Sequence, residues 1–204
     1  MSYVDAVEYV GTTPESGVAQ LAILHDSGLR PDHRVLEIGC GALHLARPLV
    51  EYLDVDRYCG VDPNAWLREA AWTEDPALAD LLRARSARFY SGDRFRWPGR
   101  AGFDRIVAHS VLTHVSRPQI DTFARALDEQ LTPDGIAVVS LLLDVETNAA
   151  DEWTYPESIT IAEGDLAELL AMVDLVATRI PAYRESMREI RPAECHDWIV
   201  IERA

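Results

Sequence analysis

The sequence predicts an α/β domain in which a mostly parallel sheet of seven strands lies between helices, and three observations lead there. Short apolar runs alternate along the chain with stretches of helical periodicity, the pattern of strands joined by crossover helices. Four successive runs close on glycine or polar residues: Gly39, Asp62, Gly92 with Asp93, and His109 with Ser110. Strands ending this way line a crevice at the carboxyl edge of an open parallel sheet. The 204 residues suit a single domain spanning 1–204, with no repeat, low-complexity tract or linker, and a domain of this size buries roughly 70% of its unfolded surface.

The elements follow in order. Thr13 and Pro14 supply an N-cap and a first-turn proline for a helix through about Asp26, with Val18, Leu21, Ala22 and Leu24 or His25 as its apolar stripe. Gly28 ends it. Val35, Leu36 and Ile38 form a strand covered on both faces, and Gly39 and Gly41 let the backbone turn where a Cβ would collide with a ligand. Leu45, Ala46, Leu49, Val50 and Leu53 keep helical spacing, so a helix starts near His44 with Pro48 in its first turn. The second strand, Tyr58 to Val61, reaches Asp62, about 25 residues after Glu37, where an acid can accept hydrogen bonds from both ribose hydroxyls. Helices over Trp66 to Trp72 and Pro76 to Arg85 precede a third strand, Ala87 to Ser91, and a fourth, Phe103 to Ala108.

Ser116 and Gln119 make a capping box for a helix carrying Ile120, Phe123, Ala124, Leu127 and Leu131. Thr132 to Gly135 read as a turn and Ile136 to Leu143 as the fifth strand. The looser segment 144–164, with Trp153, Tyr155 and a short strand near Ile159, is expected to face a substrate. A helix from Asp165 to Met172, a strand from Leu175 to Ile180, a loop over 181–194 and a last strand from about Asp197 to Glu202 complete the chain.

Composition narrows the function. With 48% hydrophobic and 26% charged residues the chain is an ordinary globule. No apolar run approaches the roughly 20 residues needed to span a bilayer, and MSYVDAVEYV lacks a basic region followed by an apolar core. A cytoplasmic protein without membrane partners, monomeric or homodimeric, is expected. The net charge of −15 repels a phosphate backbone, so nucleic acid is not expected as a partner. The arginines between Arg83 and Arg100 are expected to solvate one flank of the sheet. Cys40, Cys59 and Cys195 are too few and scattered for a disulfide framework, and Cys40 reads as a small buried packer. No His, Cys and acid cluster has metal-ligand spacing, so no metal is expected.

The glycine turn selects the cofactor. A dinucleotide fold wants G-x-G-x-x-G, with a third glycine for close packing of helix on strand, and that position holds the bulky His44. Glu37, Gly39 and Gly41 instead resemble the E/D-x-G-x-G turn of class I S-adenosylmethionine-dependent methyltransferases. The resemblance extends through YVGTTPESGVAQLAILHDSGLRPDHRVLEIGCGALHLARPLVEYL, FDRIVAHSVLTHVSRPQI and LTPDGIAVVS, which are similar to the first, fourth-strand and fifth-strand motifs of small bacterial members. The family usually adds a glycine where this chain has Leu43. Adenine-directed members carry Asn-Pro-Pro-Tyr where this chain has His109, Ser110, Val111 and Leu112.

The resemblance implies a Rossmann-like three-layer αβα sandwich with an antiparallel last strand and an N-terminal lid helix within 1–30. It also implies S-adenosylmethionine as cofactor, with S-adenosylhomocysteine as product. Glu37 would then lie near the cofactor's amino group, Gly39, Cys40 and Gly41 under its carboxylate and ribose, Asp62 at the ribose and Asp93 at the adenine amine. His109 and Ser110 would lie beside the sulfonium.

Methyl transfer to a hydroxyl needs a base, and histidine titrates in the right range. His109 is the candidate base, its alternative a hydrogen bond to cofactor or backbone. His114 is a second candidate, its alternative a bond to the following helix start; His196, opening the last strand, could reach the lid. Trp153, Tyr155 and Tyr183 can form an aromatic wall or pack at an edge. The leading expectation is a methyltransferase for a small molecule, acting at oxygen in specialised metabolism. A nicotinamide-dependent oxidoreductase and a non-catalytic binding protein on the same scaffold remain alternatives.

Overall fold

Parallel strands buried on both faces need helices over each face, and the computed structural model shows how this chain supplies them. It describes residues 2–100, 102–153, 155–180 and 196–204. Tyr183, Cys195 and the loop expected over 181–194 lie outside the described residues.

Strands β1 (Val35–Ile38), β2 (Tyr58–Val61), β3 (Arg88–Tyr90), β4 (Phe103–Ala108), β5 (Leu131–Leu141), β8 (Leu175–Arg179) and β9 (Asp197–Arg203) form one sheet in the order β3-β2-β1-β4-β5-β9-β8. β9 runs antiparallel to both neighbours, β5 and β8, whereas β1 through β5 pair in parallel. The order reverses at β1, so a crevice opens between β1 and β4 at their carboxyl ends.

Side chains on these strands alternate between two cores, as the period of two requires. Leu36, Ile38, Ile106 and Val139 pack with Phe123 and Leu127 of α6 (Arg117–Gln130) and Leu166 of α7 (Glu163–Ala171). Val35, Val107 and Val138 face the other way, toward Ile23 of α2 (Pro14–Asp26), Leu49 of α3 (Ala46–Tyr52) and Leu78 of α5 (Pro76–Ala84). Truncating any of these buried aliphatics to alanine carries a cost of about 2–5 kcal/mol. The Ser116 and Gln119 capping box opens α6 as the spacing predicts, Gln119 Oε1 accepting the Ser116 N–H at 2.8 Å.

Three expectations are corrected. The N-terminal segment is two helices rather than one: α1 (Tyr3–Val10) ends at Gly11, whose φ of 62° breaks the helix, and α2 follows. Its start was legible in Ser2 and Asp5, an S-x-x-D capping box in which the Asp5 N–H donates to Ser2 Oγ and the Ser2 N–H to Asp5 Oδ2. The turn expected over Thr132 to Gly135 is absorbed into β5 as an irregularity, because β4 and β5 shift register between Phe103 and Arg105. The 144–164 segment carries its own two-stranded parallel sheet, β6 (Leu143–Asp144) with β7 (Ile161–Ala162).

Three of the arginines on the β3 flank pair with acids. Arg83 pairs with Asp80, Arg88 with Asp56 and Arg96 with Glu129. Among the described residues no helix is long and apolar enough to cross a membrane.

α1 contacts α4 (Ala65–Glu74), sharing a small core of Ala6, Ala42, Leu67 and Ala70, so it sits over the glycine turn. α2 reaches the same turn through Gly17, where a Cβ would stand 2.0 Å from the His44 carbonyl oxygen. Gly17→Ala gains about 0.5–1 kcal/mol of helix propensity but meets backbone that cannot retreat, at a cost of about 1–3 kcal/mol. Urea unfolding should therefore show the variant less stable than the parent; equal or greater stability would disprove the contact.

Candidate functional site

Register alone assembles the site. Ile38 lies level with Val61 on one side and Ala108 on the other, and Ala108 with Val139. One residue further along, the chain presents Gly39, Asp62, His109 and Ser140 in a row at the carboxyl edge. A cleft of about 200 Å³ opens above this row, and every residue that the resemblance assigns to a cofactor lines it, as does His114.

The floor is the turn after β1. Gly39 has φ of 76°, and a Cβ there would stand 2.4 Å from Val111 Cγ2; Gly41 has φ of 44° and lies under Val10 of α1. The cradle is one that side chains would fill. Leu43, where the resembling family has glycine, adopts the same left-handed backbone at φ of 65°, a conformation costing an L-residue roughly 1–2 kcal/mol. Its buried side chain offsets that cost, so the loop keeps its path without the glycine. Ser110 (φ 57°) and Phe95 (φ 57°), both in the cleft wall, are held in the same region, and such strain concentrates at binding sites.

Two carboxyl groups sit at the back. Glu37 on β1 accepts a 2.5 Å hydrogen bond from the Tyr58 hydroxyl. Burial, opposed by that bond and reinforced by the nearby charge of Asp62, pushes its pKa up to about 8. Asp62 accepts the Gly41 N–H at 3.0 Å and the Asn64 N–H at 2.7 Å. Burial raises its pKa, while these two bonds and Arg68 pull it down. Asp62 thus ties the glycine turn to the start of α4, and its remaining lone pairs can receive donors from the cleft. Cys40 is buried, and desolvation raises its thiol well above the usual range, the signature of a packing residue rather than a nucleophile. Asp93 stands exposed at the rim beside Gly92.

His109 lies flat against Trp198 of β9, ring centroids 5.3 Å apart at 17°, with the His196 ring 5.5 Å away. His196 is buried and does not line the cleft; its Nδ1 lies 3.3 Å from Ser140 Oγ. That hydroxyl in turn accepts the Ser110 N–H at 2.8 Å. The placement therefore puts His109 at the surface of the site and His196 behind it. His114 does not cap the following helix: its Nδ1 lies 3.1 Å from the Glu157 carbonyl. A carbonyl only accepts, so Nδ1 donates in this contact.

Trp153 and Tyr155 do reach the site, joined by Tyr9 of α1, which the sequence reading missed. The Tyr155 hydroxyl donates to the Tyr9 carbonyl. His44 was also missed as a site element: its Nε2 meets the Tyr3 hydroxyl at 3.1 Å and its Nδ1 the Thr12 hydroxyl at 2.9 Å. It fastens α1 and the Thr12 segment to the glycine turn, and no local periodicity signals a contact spanning forty residues. Among the described residues, no group of three His, Cys, Asp or Glu side chains could hold a metal ion.

A family model for a methyltransferase domain matches residues 8–173. Cyclopropane-fatty-acyl-phospholipid synthase of Escherichia coli (strain K12) is 29% identical over 126 residues, 61% of this chain and 30% of that protein, so the chain spans under a third of this relative's length. Of solved structures, a DhpI–SAH complex superposes with a TM-score of 0.64 at 18% identity, covering 99% of this chain and 93% of that one. Magnesium protoporphyrin IX methyltransferase from Synechocystis PCC 6803 with bound SAH gives 0.64 at 14% identity, covering 94% and 83%. These two share the fold.

The buried acid makes stability depend on pH. Glu37 titrates near 4.5 when unfolded and about 8 when folded, so between those values the folded state binds more protons. Stability from this group is full below pH 4.5 and is lost as pH rises toward 8, at up to about 1.4 kcal/mol per pH unit. Glu37→Gln keeps the acceptor for Tyr58 but removes the titration. Ligand-free Glu37→Gln should show a flatter stability profile from pH 5 to 8 than the parent in urea titrations; parallel profiles would contradict the burial argument.

Proposed function

The chain belongs to the methyltransferase-domain family, and from that premise we propose that it transfers a methyl group from S-adenosylmethionine to a hydroxyl of a small molecule in specialised metabolism. The carboxyl groups of the cleft support the choice of cofactor most directly. Glu37, Asp62 and Asp93 line it, and among the described lining residues there is no Lys or Arg. Such a surface suits a cofactor carrying a sulfonium and an ammonium, and is a poor host for the pyrophosphate of a dinucleotide. The two fold neighbours above were solved with SAH bound.

The residues fit the group in this reading. The Gly39 to Gly41 turn leaves backbone room for the ribose and carboxylate, Glu37 receives the amino group, and Asp62 receives the ribose hydroxyls. Asp93 meets the adenine amine, and His109 and Ser110 lie beside the sulfur. When bound, S-adenosylmethionine supplies a methyl carbon on positively charged sulfur, and the electron pair of the broken bond stays on sulfur in S-adenosylhomocysteine.

The protein's own work is alignment, drying and proton removal. His109 takes the hydroxyl proton, its plane fixed by stacking on Trp198. His196 acts only through His109, as a positioning residue. α1, held by His44 and Tyr155, covers the turn and excludes water. So small a cover suits a small acceptor.

Calorimetry and turnover separate these roles. Asp62→Ala should weaken S-adenosylhomocysteine binding by about 1–3 kcal/mol through loss of charge-assisted hydrogen bonds. His109→Ala should leave that affinity near the parent's while lowering kcat on any metabolite that gains a methyl group in a mass-spectrometric screen. Unchanged affinity in Asp62→Ala, or equal loss of both quantities in His109→Ala, would overturn the assignments.

A further inference from the structure

The methyl-transfer reading leaves the acceptor undefined, and the wall of the cleft beyond His109 speaks to it. Tyr155 is the hub of a ring cluster drawn from three separate parts of the chain. Its ring lies 4.9 Å from that of Tyr9 at 31°, 5.7 Å from that of Trp153 at 28° and 5.1 Å from that of His114 at 70°. All four side chains line the cleft. The hydroxyl of Tyr155 is spent on the Tyr9 backbone, which fixes the ring and leaves it to act as a flat apolar surface. Trp153 keeps 56% of its surface exposed although it sits beside this cluster, so a large indole is left for something else to cover.

We propose that the acceptor is a phenol-type molecule, a planar aromatic ring bearing a hydroxyl, seated against Trp153 and Tyr155. This rests on the methyl-transfer reading for the reaction, but the binding site stands on the ring cluster itself. Aromatic faces favour an aromatic partner beyond simple area burial, because the negative face of one ring meets the positive edge of another. The polar groups on this side are His109, Ser110, His114 and Gln119, which hydrogen-bond a hydroxyl, and no Lys or Arg stands among the described lining residues. A carboxylate or phosphate would lose hydration without gaining a guanidinium or ammonium among the described lining residues. His109 remains the acceptor for the phenolic proton, and His114, its Nδ1 committed to the Glu157 carbonyl, lines the same cleft.

Ligand-observed NMR titration of phenol, benzoate and cyclohexanol, equal in ring size, tests the proposal. Phenol should bind more tightly than either of the others, and Trp153→Ala and Tyr155→Leu should each weaken it by about three- to ten-fold. Trp153 is exposed enough for its variant to fold even if that of Tyr155 does not. Calorimetry with S-adenosylhomocysteine should give parent-like affinity in Trp153→Ala, whose side chain holds no part of α1. Benzoate or cyclohexanol matching phenol, or undiminished phenol binding by Trp153→Ala, would overturn the proposal. Phenol binding in protein that does not bind S-adenosylhomocysteine would uphold the aromatic site and overturn the methyl-transfer reading alone.

Discussion

A carboxyl group has little reason to lie within an apolar strand flanked by parallel neighbours on both sides, yet Glu37 sits between Leu36 and Ile38 with Gly60 on one side and Val107 on the other. Desolvation there is so unfavourable to the anion that the group stays largely protonated at neutral pH. The surroundings are shaped around that acid. Tyr58, level with Val35 on the next strand, turns its hydroxyl to Glu37, and Gly60 leaves room for that hydroxyl, since a Cβ there would come within 2.9 Å of it. In the proposed site this buried neutral acid ionises when the cofactor's ammonium arrives, and it is held in place by the sheet rather than by a loop.

The second carboxyl, Asp62, converts strand alignment into loop geometry. Through the Gly41 and Asn64 N–H groups it ties the turn after β1 to the start of α4. From there the structure extends outward into the cover. Gly17 lets α2 lie on the His44 carbonyl, the His44 ring holds Tyr3 and Thr12, and Tyr9 at the end of α1 meets Tyr155 from the 144–164 segment. Glycine turn, N-terminal helices and aromatic cluster therefore form one continuous set of contacts.

Much of this was legible in the residues because the signals are local. Val35 to Ile38, Tyr58 to Val61 and Phe103 to Ala108 are short apolar runs with polar stops, and their boundaries fall where the pattern places them. The Ser116 and Gln119 box marked α6, and Glu37, Gly39, Gly41 and Asp62 were visible as a turn chemistry. What escaped depends on contacts between distant segments. Leu43 in a left-handed conformation cannot be inferred from leucine, because the stabilising contacts come from tertiary packing. The His44 latch joins positions 41 and 32 residues apart, and the burial of His196 behind His109 follows from β9 inserting between β5 and β8. The missed α1 is different in kind: its capping box and terminal Gly11 were present to be read.

In the proposed function the cleft holds the cofactor's amino group against a carboxyl, Glu37, that is neutral until the ligand arrives. Calorimetry of S-adenosylhomocysteine binding at pH 7, repeated in buffers of different ionisation enthalpy, counts the protons exchanged. With the Glu37 pKa at about 8 before binding, ion pairing should expel about one proton per ligand bound, and Glu37→Gln should abolish the release. Binding with no proton release, or a release that survives in Glu37→Gln, would contradict the account.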